Sequence, residues 1–591
     1  MATNGSKKRK QQKRQAVTRI VILAAILICV NMLAARFHAG LDLTKEKRFT
    51  LTHATKNVLH NMDDVAVITV YLDGKFPAGF QRLKEATREQ LQAFRDQVGG
   101  NVKFQYNDPF AGKSDEEKVK VAKILAGKGI FPVNLQVQGE EEGYSEKFIF
   151  PWALVQYKGR ETAIRLLENK MGLSPLENLN YSESLLEYKF ASAIHRLEKA
   201  TRDEIAYIVG HNETLGMNTY DLLTSLSEQY KVDTLDLPNS LYIPKSYKAI
   251  IINRPTLPID EKDKFKIDQY IMNGGRVLWA IDQLNTPMDS LAMNGYVMSL
   301  DYGLNLDDQL FKYGARINTT LVEDKQCLPM PVMFGQPGDA QPQMQLRSWM
   351  YFPVFIPESK HPIVKNMDPV FGLYVSTIDT LGNPEVRKTV LLQSTKYGRK
   401  TSSPARVSLS MLQYPMDAMF KDVRTPLPVS VLLEGKFKSV FHNRLHPSFL
   451  QVLRDSLKQD FKSGCDTENR MIIIADGNML ENEYSERTGP SEMGYWKFTN
   501  ERFANKTFVL NCVEYLVDNS GLLEARAKDA KLRLLDGNRV KAEERKWQFI
   551  NIGVPVILVL VFASAYIFFR KRRYEKPAGN ASSKQPKNKD A

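Results

Sequence analysis

The sequence predicts an α/β protein in which two transmembrane helices flank a large folded body. Three observations support this prediction: basic residues concentrate at both ends, an apolar run adjoins each basic end, and strands alternate with helices between them. The 591 residues are enough for three to four domains. With 43% hydrophobic and 25% charged residues the chain can build ordinary globular cores. The mean hydropathy of −0.34 excludes a polytopic membrane protein.

The net charge of +14 lies almost entirely in two tails. Residues 1–19 contain seven basic residues and no acidic one, and residues 570–591 contain eight basic and two acidic residues. The remaining 550 residues therefore carry a net charge of only +1. A nucleic-acid-binding protein holds its positive charge on a folded face or on an arm beside one. We therefore expect no nucleic acid among the partners.

Each basic tail adjoins a predicted membrane helix, residues 20–36 at one end and residues 549–569 at the other. Lys and Arg mark the cytoplasmic side of a membrane. Both termini are therefore predicted to be cytoplasmic, which places residues 37–548 on the far side. An alternative for the first run is a cleaved signal peptide, with Ala34 and Ala35 near the cleavage site. Cleavage would leave one anchor and the same location for the body.

Residues 37–200 are predicted to form an N-terminal α/β domain. Its order, βαβαβ followed by a hairpin of residues 148–156 and 161–166, is compatible with a thioredoxin-like layer. An amphipathic helix over residues 182–199, whose apolar positions recur on one face, closes the layer. The predicted strands span residues 65–72, 102–106, 132–137, 148–156 and 161–166.

Residues 201–500 are predicted to form a doubly wound domain, because strands and helices alternate at the spacing of a parallel sheet. The predicted strands span residues 205–209, 232–237, 249–253, 276–281, 389–392, 428–433 and 471–475. Residues 290–360, rich in Met, Pro and Gln, are expected to form a long loop. Residues 501–548 are expected to be a helical segment that leads to the second membrane helix.

No motif in the sequence predicts a catalytic residue, a metal site or a cofactor. The GKS of residues 112–114 has Asn107 where a Walker A motif requires glycine. His442 and His446 are four residues apart, but Asn443 stands where a zinc protease has its glutamate. Neither CxxC nor GxSxG occurs. We therefore expect a protein that is not an enzyme.

Polar residues follow several predicted strands of the doubly wound domain, at the edge where such sheets bind ligands. The candidate ligand-binding residues are His211, Asn212, Glu213, Arg254 and Asp282. Asp476 follows a later strand of the same edge. The alternative is structural, since Asn212 and its neighbours also have the composition of a turn and a helix cap.

Several long segments have distinctive sequences: ITVYLDGKFPAGFQRLKEATREQL (residues 68–91), SLLEYKFASAIHRL (184–197), IVGHNE (208–213), residues 249–282, ADGNML (475–480), residues 505–536 and the final apolar run. In these segments the chain resembles the GldG family, the extracytoplasmic auxiliary subunits of the gliding-motility ABC transporter of Bacteroidota. The resemblance covers nearly the whole chain and is weakest over residues 290–360. It implies that the doubly wound domain is glutamine-amidotransferase-like in layout but lacks the nucleophile.

The resemblance further implies a location in the bacterial inner membrane with a periplasmic body. The implied partners are an ABC permease, a cytoplasmic ATPase and membrane lipid, and the implied role is in gliding motility and linked type 9 secretion. The leading hypothesis is thus a non-enzymatic subunit of an ABC-type complex. The alternative is a periplasmic ligand- or glycan-binding module anchored in the inner membrane.

Overall fold

The computed structural model describes residues 17–32, 50–74, 76–138, 144–170, 173–334, 343–457, 460–526, 528 and 537–574. The chain divides into two compact units, Met1–Ala530 and Lys531–Ala591. Both contain an apolar helix, and the larger unit also contains a mixed α/β body, so the predicted α/β class is confirmed. Most of the two basic tails (residues 1–16 and 575–591) lies outside the described residues.

The first part of the larger unit contains an apolar helix followed by an α/β layer. Its elements are α1 (Val17–Met32), α2 (His53–His60), β1 (Ala66–Val70), α3 (Ala78–Gln97), β2 (Val102–Tyr106), α4 (Asp115–Gly127), β3 (Val133–Gln138), β4 (Tyr144–Ile149), β5 (Trp152–Tyr157), β6 (Arg160–Arg165) and α5 (Pro175–Glu198).

The sheet of this layer has the order β2-β1-β5-β6. β1 is parallel to β2 and antiparallel to β5, and β6 is antiparallel to β5. The strand predicted over residues 132–137 forms as β3, but it pairs with β4 in a separate hairpin and not with this sheet. Strand composition indicates that a segment is extended but does not specify its partner, which depends on long-range packing.

The long helix α5 holds this layer together. It begins at a capping box in which Ser174 and Glu177 each bind the other's backbone amide, with Pro175 at the first helical position. Its apolar face buries Phe190 and Ile194 completely. Phe190 meets Phe94 of α3 edge-to-face, with ring centroids 6.4 Å apart. The predicted amphipathic helix therefore forms and packs as its periodicity indicates.

The rest of the larger unit is built on a second, larger sheet. Its first elements are β7 (Glu204–Val209), α6 (Tyr220–Ser227), β8 (Lys231–Asp236), β9 (Tyr247–Asn253), α7 (Glu261–Met272) and β10 (Arg276–Ala280). They are followed by β11 (Leu284–Asn285), α8 (Met288–Asn294), β12 (Tyr296–Asp301), α9 (Asp307–Tyr313), β13 (Ala315–Ile317), β14 (Thr320–Glu323), β15 (Cys327–Phe334), β16 (Gln343–Phe355), β17 (Val370–Phe371) and β18 (Ile378–Thr380). The remaining elements are β19 (Val386–Gln393), β20 (Arg399–Ser402), β21 (Ala405–Ser408), α10 (Met416–Met419), β22 (Pro428–Gly435), α11 (Pro447–Leu457), β23 (Asn469–Ile474), β24 (Tyr484–Ser485), β25 (Gly489–Pro490), β26 (Tyr495–Trp496), β27 (Glu501–Arg502), α12 (Asn505–Val517) and α13 (Leu523–Arg526).

All seven strands predicted for the doubly wound domain lie in this one sheet, in the order β19-β22-β23-β10-β9-β7-β8. The five strands from β23 to β8 are parallel, whereas β22 and β19 are antiparallel additions. Helices cover both faces. α6 and α12 bury one face with residues such as Leu226 and Phe508, and α7 and α9 bury the other with residues such as Ile271 and Tyr313.

The prediction of a long loop over residues 290–360 is wrong. The described residues there form β12 to β16, and β15 and β16 pair as a long antiparallel hairpin. Pro329 and Pro331 favoured the loop interpretation, but β15 is an edge strand, where a residue without a backbone N–H is tolerated. Trp349 and Tyr351 of β16 are buried in a separate aromatic core.

The smaller unit contains α14 (Gly537–Tyr574), with Pro555 inside it. Its segment Glu543–Arg572 has 30 residues and contains an 18-residue window with a mean hydropathy of 2.5, so it is long and apolar enough to cross a membrane. At the other end of the chain α1 has the same apolar character but is shorter. Both helices are compatible with a membrane-anchored protein.

The first and last segments of the body meet at one buried carboxylate, Glu187 of α5. The Thr52 backbone amide donates to Glu187 Oε1 over 2.6 Å, and the Thr52 hydroxyl donates to the same oxygen over 2.8 Å. Lys528 donates to Glu187 Oε2 and also to the Thr50 carbonyl. Nearby, Leu522 packs into the same core as Leu51. We call this set of contacts the clasp.

We expect Lys528→Met to destabilise the body by about 3–5 kcal/mol, because Glu187 would remain a buried charge without its cationic partner. The Glu187 side chain is only 3% exposed. The measurement is urea unfolding of the full chain in detergent. Lys438→Met is the control, since its pair with Glu385 is about half exposed and should contribute less than about 1 kcal/mol. Equal effects of the two substitutions would contradict the clasp.

Candidate functional site

The direction in which the chain adds strands reverses between β7 and β9. From β7 the chain goes to β8 on one side, and β9, β10 and β23 then follow on the other side. Ligands of open α/β sheets bind beyond the carboxyl ends of the strands at such a switch point. His211 follows β7 and Arg254 follows β9. The predicted site residues thus lie where this architecture makes a crevice.

His211 is buried between two carboxylates. Its Nδ1 atom lies 3.4 Å from Glu213 Oε1, and its Nε2 atom lies 3.1 Å from Asp263 Oδ2. Burial alone would lower the pKa of His211, but the two carboxylates outweigh it and raise the pKa. Lys266 also donates to Asp263, over 2.7 Å. The two carboxylates therefore favour the protonated, cationic form of the imidazole.

Asn212 shapes the turn that follows β7. Its φ of +61° is left-handed, a conformation that asparagine adopts more readily than most residues. Its side-chain amide donates to the Thr256 hydroxyl over 2.5 Å. The backbone amides of Thr256 and Leu257 donate to the His211 carbonyl. Asn212 therefore joins the loops after β7 and β9, as the structural alternative predicts.

Arg254 and Asp282 form an ion pair, with Arg254 Nε 2.7 Å from Asp282 Oδ2. A second carboxylate, Glu481, lies 3.0 Å from Arg254 Nη1. Burial alone would lower the pKa of Arg254, but these two acids outweigh it and raise the pKa. Gly477 permits the approach, since a Cβ there would lie 2.6 Å from the Arg254 Cβ.

Asp282 is also linked to Asp476, which follows β23. The Asn478 side-chain amide donates to both, over 3.3 Å to Asp282 and 3.1 Å to Asp476. The backbone amides of Gly477 and Leu373 donate to Asp282 and Asp476 respectively. Burial raises the pKa of both carboxyls; the charge of Asp282 raises that of Asp476 further, whereas Arg254 opposes the rise at Asp282. Two such neighbouring acids favour a state in which they hold a proton.

The structure therefore divides the predicted residues into two clusters. His211 and Glu213 belong to one, Arg254 and Asp282 belong to the other, and Asn212 makes the turn. Sequence reasoning missed Asp263 and Glu481. Asp263 lies in the first turn of α7, which begins at this edge, so its position was a usable signal. Glu481 lies beyond a 3₁₀ turn whose direction no sequence pattern indicates.

Within the described residues, no group of three or more His, Cys, Asp or Glu side chains has an arrangement that could hold a metal ion. The charged side chains of the two clusters instead bind each other. Internal ion pairs at this edge therefore join the loops that follow β7, β9, β10 and β23.

Comparison with known proteins assigns the larger sheet to a family. Residues 202–512, more than half of the chain, match the model of the family described as an ABC-type uncharacterized transport system. The chain belongs to this family. It is thereby associated with ABC-type transport, as an auxiliary subunit. Residues 45–156 match a second model, described only as a domain of unknown function.

Two further proteins are similar to this chain. A protein of Borreliella burgdorferi described as uncharacterized is 20% identical over 548 residues, which cover 90% of this chain and 93% of the relative. Among solved structures, the mmIFT52 N-terminal domain matches with a TM-score of 0.30 and 11% identity, over 54% of this chain and 98% of that domain. The second likeness is too low to support an argument about this fold.

The acid pair should make the free energy of unfolding decrease as pH rises. We expect this decrease to be smaller in Asp476→Asn. The pKa of Asp476 is raised above its usual 3.8, so the folded protein binds more protons than the unfolded chain above this pH. The pair's contribution to stability therefore falls as pH increases above about 4, until the raised pKa of Asp476 is passed. The free energy of unfolding of the variant relative to the wild type should become more favourable over this range, by about 1.4 kcal/mol for each unit of pKa shift.

The measurement is urea unfolding of the full chain at several pH values. Asp422→Asn is the control, because the Asp422 side chain is 77% exposed in a surface pair with Arg424. This control should keep the wild-type slope. An Asp476→Asn slope equal to that of the wild type would show that the acid pair holds no extra proton.

Proposed function

We propose that the chain is a non-enzymatic, membrane-anchored extracytoplasmic subunit of an ABC-type transporter complex. The observation that carries the proposal is the family match over residues 202–512. The complex would contain a polytopic permease and a cytoplasmic ATPase. The GldG-like segments extend the proposal to gliding motility and linked type 9 secretion in Bacteroidota.

The clasp supports anchoring at both ends. Glu187 binds Thr52 near the start of the body and Lys528 near its end. The segments that lead from α1 and toward α14 therefore leave the body next to each other. In the proposed topology both helices span the inner membrane, both termini are cytoplasmic and residues 37–548 are periplasmic.

Two anchors suit a subunit that transmits force or position better than one that captures a free ligand. A body held at one point rotates about it, whereas two membrane helices limit that rotation. Packing of these helices against permease helices would let ATP hydrolysis act on the periplasmic body.

The two sheets support the finer fold assignment within this proposal. The order β2-β1-β5-β6, with β1 and β2 parallel and a closing α5, is that of a thioredoxin-like layer with a β3–β4 hairpin inserted. The order β8-β7-β9-β10-β23 is the 2-1-3-4-5 order of flavodoxin-like doubly wound sheets. We assign the second domain a glutamine-amidotransferase-like layout without the nucleophile. The domain boundaries near residues 200 and 500 stay predictions.

The non-enzymatic part of the proposal is supported by the state of the carboxyl edge. His211, Arg254 and Asp282 bind carboxylates or cations of the protein itself. A catalytic acid, base or nucleophile has to reach its substrate. The same engagement weighs against a ligand- or glycan-binding module at this edge, because a ligand would have to displace ion pairs that are already formed.

We expect protease added to intact spheroplasts to digest the body and to leave both terminal tags protected. A chain with a different epitope tag at each end would then yield two short membrane-protected fragments. In inside-out vesicles the tags should be removed and the body protected. Detergent permeabilisation controls for accessibility, because it should expose every segment. Absence of the N-terminal tag from the mature protein would instead show cleavage of the first helix.

We expect the tagged full chain to co-purify with an ATPase and a polytopic permease from its own host in mild detergent. Mass spectrometry identifies the partners. A chain that ends at residue 536 lacks α14 and is the matched control, since the proposal requires the membrane helices for permease contact. Recovery of neither partner with the full chain would refute the proposed complex.

A further inference from the structure

A second crevice lies at the opposite, amino edge of the large sheet. It is a cavity of about 870 Å³, lined by α2, the end of α5, the beginnings of β9 and β10 and the end of α12. It therefore lies between the α/β layer and the large sheet. None of the candidate residues at the carboxyl edge lines it.

The acidic side chains of this cleft already have partners. Asp203 lies 2.7 Å from Lys199 Nζ. Glu198 and Asp518 lie 3.5 Å and 3.4 Å from the two ring nitrogens of His195, and Asp518 also accepts from the Ser520 backbone amide. The pKa of Asp518 is lowered: burial would raise it, but the hydrogen bonds of His195 and Ser520 outweigh burial. Each acid of the cleft is therefore already engaged by a side chain of the protein itself.

The cleft also contains basic side chains that no acid of the cleft engages. Lys245 and Lys248 line the cleft and are exposed, and within the described part of the chain neither side chain makes a hydrogen bond or an ion pair. Arg276, which also lines it, binds the end of α12 through the Leu516 carbonyl and through Asn519. Burial and the neighbouring Arg470 lower the pKa of Arg276 to about 10. The cleft thus has a surplus of positive charge.

Arginines offset part of the negative potential at the cleft. A helix C-terminus carries a partial negative charge, and two of the helices that end at the cleft have arginines on their last carbonyls. Arg160 donates to the last carbonyls of α5, and Arg276 and Arg470 donate to those of α12. The charges of the two free lysines therefore remain available to attract a ligand.

We propose that this cleft between the two domains binds a phosphate-bearing anionic group through Lys245 and Lys248. Lysine ammonium groups bind phosphate as point charges, and the volume exceeds that of a bare phosphate. Two sources share this chemistry: the headgroup of an anionic phospholipid and a soluble phosphate compound.

The location favours the lipid as the first source to test. α2 is the first described element after α1, and residues 517–520 of the lining lie close before α13, the last described helix before α14. Residues near both ends of the described body therefore line the cleft. The lipid argument rests on the proposed membrane anchoring, whereas the phosphate chemistry does not.

The test is calorimetric titration of the full chain in neutral detergent. One arm uses mixed micelles containing phosphatidylglycerol, with phosphatidylcholine micelles as reference, and the other uses inorganic phosphate. Lys245→Gln/Lys248→Gln should weaken binding at least about tenfold. The matched control is Lys360→Gln/Lys421→Gln, which removes two exposed lysines that lie outside the cleft lining and should leave binding unchanged.

A measurement on the wild type does not depend on any variant. The ligand should slow the acetylation of Lys245 and Lys248 by an amine-reactive reagent, relative to Lys360, as read by mass spectrometry. Binding of phosphatidylglycerol that inorganic phosphate does not displace identifies the lipid headgroup. Binding of phosphate alone identifies a soluble ligand.

Absence of both binding and protection would overturn the proposal, as would equal loss of binding in the control variant. Either result would leave the co-purification of an ATPase and a permease unaffected. If neither an ATPase nor a permease co-purified but the chain still bound phosphate, the transporter role would be refuted and the proposed anion site in the cleft would stand.

Discussion

The body depends on a buried carboxylate, Glu187, to which residues near both of its ends donate hydrogen bonds. Glu187 lies in the middle of α5, the helix that buries Phe190 in the core of the α/β layer. Through Thr52 and Lys528 this one residue fixes the start and the end of the body to the same helix. Because Lys528 comes after the large sheet in the chain, the contact also joins the α/β layer to the end of the large-sheet region. Packing around α5 thereby sets where the first and last described segments of the body meet.

A second group of buried charges reinforces the same junction. Arg526 of α13 donates to Asn511 of α12 and lies with its guanidinium carbon 5.8 Å from the ring centre of Tyr188 in α5. Tyr188 in turn donates to Glu514 of α12 over 2.5 Å. Burial raises the pKa of Glu514. Loss of one member of such a network destabilises the fold, because its former partner is left unpaired in a low-dielectric interior. These contacts therefore favour one position of α5 relative to α12 and α13 over others.

The sequence predicted the elements of the large sheet well because its central strands are almost wholly apolar. Segments such as AIIIN and MIII can lie only between two covering layers. It failed over residues 290–360, since the alternating prolines of β15 have the composition of a loop and only the edge position makes a strand possible. It predicted that charged residues gather at the carboxyl edge, but not that Glu481 would pair with Arg254. That contact joins residues 227 positions apart, and only the tertiary structure brings them together.

The two edges of the large sheet differ in how their charges are used. At the carboxyl edge each cation has an acid beside it, as Arg254 has Asp282 and Glu481. Those pairs stabilise the loops and leave little charge for a ligand. At the amino edge arginines bind the last carbonyls of α5 and α12, and Lys199 and His195 engage the acids. Among the described residues, the Lys245 and Lys248 side chains have no such partner. Unpaired charge at the wall of a cavity attracts a ligand of opposite sign, whereas paired charge does not. This sheet therefore presents its free charge at the edge opposite to the one that its architecture class normally uses.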